Sequence, residues 1–226
     1  MKRTAALTHV LAGRWRARSQ PGRDRVELGD FGHRVPSVAR DEVSVYDLLV
    51  RRFVGPRLHA FSGRGLVLGL DAEPGWTDVL PADADVKVLR ATSGFGRKLA
   101  SAENVDWVVL DRCLQRLPGM AVALEEIVGR LRPGASLVTL FTGIARGERG
   151  GGRPLWTVAP YAARRLYEER RELERVDVEQ FGNVTLALVW LYRLPAGDLT
   201  ERELAVVDPA YPVLVAVTAA RQGNRG

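Results

Sequence analysis

The sequence predicts an α/β domain built around a largely parallel sheet. Short, continuous apolar runs that are bounded by turn residues are typical of strands buried on both faces. Between them lie segments whose apolar residues recur at helical spacing. Strands that alternate with helices in this way form parallel sheets with right-handed crossovers. The 226 residues, of which 46% are hydrophobic, suffice for one such domain with extensions.

Five apolar runs are predicted to be strands of one sheet: 66–70, 86–89, 107–110, 136–141 and 212–219. The first four are expected to be parallel, with 107–110 beside 66–70. A shorter run, Val176–Val178, can form another strand. The segment Leu186–Leu191 is apolar throughout, so its periodicity leaves helix and strand open.

Three segments are predicted to be helical. The clearest lies between the third and fourth strands, and its apolar face comprises Met120, Leu124, Ile127, Val128 and Leu131. An earlier helix is predicted over 41–61, with Asp41 or Ser44 as its N-cap and Gly55-Pro56 as its end. A later helix is predicted over 159–172.

Charge and cysteine content narrow the class of protein. The net charge is +6, and arginines cluster near the start, so we expect 1–29 to be a basic, flexible arm and 30–226 to be the domain. Such an arm can contact phosphates or remain solvated, but without a recognisable motif a nucleic-acid partner is not expected. The single cysteine, Cys113, excludes an internal disulfide and is expected to pack as a small apolar residue. No apolar run reaches the length of a membrane span and no export signal is evident, so we expect a cytoplasmic protein without a membrane partner.

Several motifs in sequence order resemble class I S-adenosylmethionine-dependent methyltransferases over about residues 30–222. Residues 105–111, 114–118 and 124–140 resemble the second half of that family's domain, and Leu131–Ala135 is similar to its "LRPGG" turn. Further segments resemble a bacterial subgroup that often accompanies glycosyltransferases: 30–36, 156–166, 181–184, 199–204 and 208–213. The resemblance implies a Rossmann-like methyltransferase fold, mostly parallel with an antiparallel last strand. It also implies S-adenosylmethionine as the cofactor.

The resemblance places the cofactor site after the first two strands. In this family an acid and a glycine-rich turn follow the first strand, where glycines let backbone amides approach the methionine part. Here Gly69 stands where the acid is expected, and the turn continues through Asp71, Glu73 and Gly75. We assign these four residues to the cofactor, with Asp71 or Glu73 replacing the acid. The family's second strand ends in an acid that binds both ribose hydroxyls, whereas this one is followed by Arg90, which we also assign to the site.

Other candidate site residues follow from position or chemistry. Asp111 and Arg112 end the third strand, and ligands of parallel sheets bind beyond the carboxyl ends of strands. We therefore assign them to the cofactor cleft; the alternative is a helix cap with a surface ion pair. His33 is the candidate base for an acceptor hydroxyl, or else a histidine of a surface loop. Trp156 and Tyr161 either line the acceptor pocket or pack in the structure.

These residues favour an S-adenosylmethionine-dependent methyltransferase that acts on a small molecule, such as a sugar or a natural-product hydroxyl. Alignment of the acceptor with an activated methyl group supplies most of the catalysis, so the reaction needs no catalytic motif. The missing acids favour an alternative, a non-catalytic accessory or binding protein for a partner enzyme such as a glycosyltransferase. Binding of the cofactor discriminates the two hypotheses.

Overall fold

A single six-stranded sheet organises the part of the chain that the computed structural model describes, which is residues 43–69, 74–90, 104–144, 154–197 and 199–223. Its strands are β1 (Arg64–Gly69), β2 (Asp85–Arg90), β3 (Trp107–Asp111), β4 (Ser136–Thr142), β5 (Leu173–Phe181) and β6 (Leu214–Arg221). The strand order is β2-β1-β3-β4-β6-β5. β1 to β4 are parallel, and β6 is antiparallel to both of its neighbours. The predicted Rossmann-like sheet with an antiparallel last strand is confirmed, including the pairing of the first and third strands.

Helices cover both faces of the sheet. In the described ranges they are α1 (Val45–Leu49), a π-helical segment (Val50–Val54), α2 (Gly55–Leu58), α3 (Met120–Arg130), α4 (Pro160–Glu168), α5 (Val184–Tyr192) and α6 (Glu201–Ala205). Two short 3-10 turns lie at Thr77–Val79 and Leu114–Arg116. None of the helices seen in these ranges is long and apolar enough to cross a bilayer.

The core is divided into two layers by the sheet. Leu66 and Leu68 of β1 pack with α3 and α4 on one face, whereas Val67 between them packs with α1, α2 and α5 on the other. This alternation explains why the strands appear in the sequence as continuous apolar runs, since successive side chains point to opposite faces and both faces are buried.

The N-terminal helical run continues past the point where the sequence predicts its end. Ser44, and not Asp41, is the N-cap that the structure describes, because its hydroxyl accepts a hydrogen bond from the amide of Asp47. The prediction that Gly55-Pro56 ends the helix is wrong. Pro56 lies in the first turn of α2, directly after the π-helical segment, where a missing N–H is tolerated. Gly55 lets this turn pack closely against the 3-10 turn between β1 and β2, since a Cβ at Gly55 would lie 3.2 Å from the side chain of Val79.

The structure resolves the segments that periodicity left open. Leu186–Leu191 belongs to helix α5. Asn183 is its N-cap, because its side chain accepts a hydrogen bond from the amide of Leu186. The short run Val176–Val178 is the middle of the nine-residue edge strand β5. The helix predicted over 159–172 ends earlier, at Glu168, and the last strand begins at Leu214.

Candidate functional site at the carboxyl edge of the sheet

Three parallel strands end level with one another at the edge where ligands of Rossmann-like sheets bind. Gly69, the last residue of β1, is in register with Arg90 at the end of β2 and with Asp111 at the end of β3. The sequence assigned all three residues to the cofactor site, and the structure places them side by side. Arg90 is exposed, whereas Asp111 is fully buried.

Some of the assigned residues lie outside the described ranges. These are His33 and the turn residues Asp71 and Glu73, together with the proposed N-terminal arm, 1–29. Of the turn after β1, the described part begins at Pro74 and includes Gly75.

From the sequence, Asp111 was assigned to the cofactor cleft. In the structure it is instead buried beneath helix α1. Its carboxylate accepts four hydrogen bonds: from the Tyr46 hydroxyl at 2.6 Å, from Trp76 Nε1 at 3.4 Å, and from Arg112 Nε and Nη2 at 3.0 and 3.2 Å. Tyr46 and Trp76 are themselves fully buried. A desolvated carboxylate is stable only with such partners, so Asp111 anchors α1 and the turn after β1 to the sheet.

Arg112 completes this buried network. Its backbone adopts the left-handed conformation, with φ of 55°, and its guanidinium folds back onto the neighbouring carboxylate as a buried ion pair. The same guanidinium lies 4.5 Å from the centre of the Tyr46 ring, a cation–π contact. Burial and the adjacent Asp111 carboxylate raise the pKa of Tyr46 well above its ordinary value, so its hydroxyl stays a proton donor. The surface ion pair considered from sequence is therefore a buried one.

A second carboxylate lies beside the turn after β1. A Cβ built on Gly75 would lie 2.9 Å from Asp47 Oδ2, so a side chain there would displace the Asp47 carboxylate. The Ser44 hydroxyl donates to the same oxygen at 2.6 Å. Burial raises the pKa of Asp47, and the hydrogen bond from Ser44 opposes that shift only in part. The turn is also held by Arg51, which donates to the Gly75 carbonyl and forms an ion pair with Asp78 at 3.1 Å.

Gln115 joins the ends of β3 and β4. Its amide nitrogen donates to the Thr142 hydroxyl at 2.8 Å, and its side-chain oxygen accepts from the Thr142 amide at 2.9 Å. Its backbone carbonyl accepts from the amides of Leu155 and Trp156 at 2.9 and 3.1 Å. One buried residue thereby fixes the segment that precedes α4 against the carboxyl edge.

The two aromatic residues that the sequence assigned to the acceptor are exposed. Trp156 is 47% exposed, and its indole nitrogen donates to the Leu117 carbonyl at 2.9 Å, which fixes the ring in place. Tyr161, in the first turn of α4, is 75% exposed. Neither residue lies in the buried core, so core packing accounts for neither, and their assignment to the acceptor stays a prediction.

A cavity of about 240 Å³ lies at the opposite edge, where β3 and β4 begin, lined by Ala60, Phe61, Ser62, Asp106, Trp107 and Ser136. The acid in its wall is already engaged, since Asp106 accepts from the Arg64 amide at 2.7 Å and pairs with Arg132. The described residues contain no group of three or more His, Cys, Asp or Glu side chains that could hold a metal ion. We therefore place the candidate site at the carboxyl edge.

Tyr46, Asp47 and Gln115 are the site residues that sequence reasoning missed. Tyr46 is separated from Asp111 by 65 positions, and no local pattern links the two. Asp47 had a weak signal, since an acid three residues after a serine is typical of a helix start. Gln115 lies in the segment 114–118, whose family resemblance gives no indication of a contact with β4.

No protein-family model matches the chain, and no curated protein sequence matches it. Similar solved structures include phosphoethanolamine N-methyltransferase 2 of Haemonchus contortus, with 11% identity over 79% of this chain and 52% of that one and a TM-score of 0.49. The N-methyltransferase NodS of Bradyrhizobium japonicum has 17% identity over 78% and 97% of the two chains, with a TM-score of 0.44. A SAM-dependent methyltransferase of Archaeoglobus fulgidus has 13% identity over 77% and 92%, with a TM-score of 0.43. The chain spans about half the length of the Haemonchus enzyme. These likenesses concern the fold, so the functional argument depends on this chain's own residues.

Proposed function

We propose that the chain is an S-adenosylmethionine-dependent methyltransferase that acts on a small molecule. The observation that supports this most is the strand order, in which antiparallel β6 lies between β4 and β5 while β1, β2 and β3 end level at one edge. It is the arrangement that the sequence resemblance implies. A nucleotide-containing cofactor would then lie beyond Gly69, Arg90 and Asp111.

The described residues fit the amino-acid half of this cofactor. Gly69 ends β1 without a side chain, and Gly75 likewise has none, so a ligand can approach the backbone at both positions. The residue that would contact the ribose half differs from the one in the family pattern. Arg90 offers N–H donors to the hydroxyl oxygens, whereas an acid would accept hydrogen bonds from both hydroxyls. We assign Gly69, Gly75 and Arg90 to the cofactor, with Asp71 and Glu73 of the same turn.

When bound, S-adenosylmethionine supplies a methyl group that its sulfonium has already activated. The chain then has to hold an acceptor in line with that group and to exclude water. We assign this role to Trp156, whose indole is fixed by Leu117 and half exposed, and to Tyr161. His33 is our candidate for the base that removes a proton from a hydroxyl acceptor.

The remaining details of the proposal come from the sequence resemblance. We propose a sugar or natural-product hydroxyl as the acceptor, a glycosyltransferase as a pathway partner, and the cytoplasm as the location. An exposed, fixed indole supports the sugar acceptor, since such a ring offers a flat apolar surface to a substrate with one apolar face.

One observation favours a second candidate, the non-catalytic accessory protein. The carboxylate at the end of β3 is fully buried and accepts four hydrogen bonds from the protein itself, which leaves it no capacity for a ligand. In this alternative the carboxyl edge serves stability, and a partner enzyme binds elsewhere.

Calorimetric titration with S-adenosylmethionine and S-adenosylhomocysteine tests the proposal. We expect saturable binding of both to the wild type, and weaker binding to Glu73→Ala by about ten- to a hundredfold, the loss of one charge-assisted contact. Absence of binding at millimolar concentration, with binding gained in Arg90→Asp, would instead identify a lost site and support the accessory protein.

A further inference from the structure

We propose that Asp47 of helix α1 binds the α-ammonium group of S-adenosylmethionine, together with the sequence candidates Asp71 and Glu73. The inference depends on the proposed function and names a residue that neither the sequence motifs nor the resemblance assigned. It follows from the position of the Asp47 carboxylate, from the charges around it, and from a comparison with a second helix start in the same chain.

The position of Asp47 joins the two halves of the candidate site. The residue before it, Tyr46, is hydrogen-bonded to the end of β3, while the carboxylate of Asp47 lies against Gly75 in the turn after β1. The turn after β1 is where the amino-acid part of the cofactor is expected. Asp47 is only partly buried, so a ligand in that turn can reach its carboxylate.

Among the acids around the turn after β1, Asp47 has no direct ion pair in the described residues. Arg112 is paired with Asp111 at 3.0 Å, and Arg51 is paired with Asp78 at 3.1 Å. Asp47 forms no direct ion pair in the described ranges, where Ser44 is its hydrogen-bond donor, and the attraction of Arg112, which is already paired with Asp111, offsets the effect of burial on the Asp47 pKa only in part. A partly desolvated carboxylate in this situation is stabilised by a cationic ligand. The ammonium group of the cofactor has the required charge and hydrogen-bond donors.

Helix capping alone does not account for this carboxylate. Thr200 and Glu203 form the same serine/threonine-and-acid arrangement at the start of α6, with reciprocal hydrogen bonds. There the bonds from Thr200 lower the pKa of Glu203, as expected for an exposed capping acid. At α1 burial has the opposite effect and raises the pKa of Asp47. Both acids accept hydrogen bonds from their capping residue, so burial is what separates them, and a cationic ligand at Asp47 would offset the cost of that burial.

The test compares three ligands with two matched variants by calorimetry. S-adenosylmethionine and S-adenosylhomocysteine both carry the ammonium group, whereas methylthioadenosine lacks the whole amino-acid part. We expect Asp47→Asn to weaken the first two by about ten- to a hundredfold and to leave methylthioadenosine within about twofold. Glu203→Gln, the capping acid of α6, should change none of the three affinities. The melting temperature of Asp47→Asn should be unchanged or higher, because a desolvated charge has been removed.

Each other outcome contradicts a specific part of the inference. Unchanged affinity of Asp47→Asn for S-adenosylmethionine would show that this residue does not bind the ligand. Weaker binding of S-adenosylmethionine alone would assign Asp47 to the sulfonium instead. Equal weakening of all three ligands, with a lower melting temperature, would reduce Asp47 to a capping residue. A wild type that binds none of the three ligands would overturn the proposed function and this inference together. Failure of the inference alone differs from this, because the wild type would then still bind S-adenosylmethionine.

Discussion

Replacing Tyr46 by phenylalanine isolates the bond that fastens helix α1 to the sheet. The Tyr46 hydroxyl donates to Asp111 at 2.6 Å in a fully buried environment. Phenylalanine keeps the ring, and with it the contact with the Arg112 guanidinium at 4.5 Å and the contact with Trp190 at 5.7 Å. The substitution therefore removes one hydrogen bond and little packing.

The magnitude follows from what the carboxylate retains. A hydrogen bond to a charged group contributes about 1.5–3 kcal/mol. Asp111 Oδ1 still accepts from Arg112 Nε at 3.0 Å, so the carboxylate is not left without a partner. We expect a loss of about 2 kcal/mol in the free energy of unfolding, which for a chain of 226 residues lowers the melting temperature by about 4–8 °C.

Urea unfolding followed by tryptophan fluorescence measures this loss, since Trp76 and Trp190 lie in or beside the network and are buried. Tyr161→Phe is the control, because Tyr161 is 75% exposed, and we expect it to change stability by less than about 0.5 kcal/mol. A Tyr46→Phe variant as stable as this control would refute the role of Asp111 as the anchor of α1.

Three further substitutions test other parts of the structure. Gly65→Ala should destabilise by about 1–3 kcal/mol in urea unfolding, because the new Cβ would lie 2.0 Å from the Trp107 ring, whereas Gly129→Ala, with nothing within 4 Å, should be neutral or stabilising. Gln115→Ala should lose about 1–3 kcal/mol by thermal unfolding, because both side-chain bonds to the end of β4 are buried; no loss would contradict that junction. Asp47→Asn should raise stability at neutral pH, and the gain should vanish below the ordinary aspartate pKa of about 4. The gain is expected because the pKa of Asp47 is raised in the folded state, which means that ionisation of its carboxyl group disfavours folding. If Asp47→Asn were instead less stable than the wild type at pH 7, this explanation would be wrong.

Most of the fold was predictable because each buried strand has a simple local signature. Val108 and Val109 of β3 point to opposite layers of the core, and both layers are covered by helices. Such a strand consists mostly of apolar residues, so its position is visible in the sequence. The helix between β3 and β4 was equally visible, since Leu124, Ile127 and Val128 face one layer. The carboxyl edge followed from topology alone.

The interior of the site was not predictable, because it depends on contacts between distant segments. Asp111 was expected in an open cleft since nothing in the sequence shows that Tyr46 lies above it. Pro56 was interpreted as a helix end because the preceding π-helical segment, which makes it the start of a new turn, has no sequence signature. Local pattern predicted which residues lie at the edge, and only packing determined which of them are covered.

Backbone amide NMR during titration with S-adenosylhomocysteine tests the central claim most directly, since it locates the binding edge whether or not an acceptor is known. We predict saturable shifts at Gly69, Gly75 and Arg90, where the parallel strands end, and unchanged signals at Ser62 and Ser136 around the opposite cavity. Shifts confined to that opposite cavity would contradict the assignment of the site, and a spectrum unchanged at millimolar ligand would contradict the methyltransferase itself.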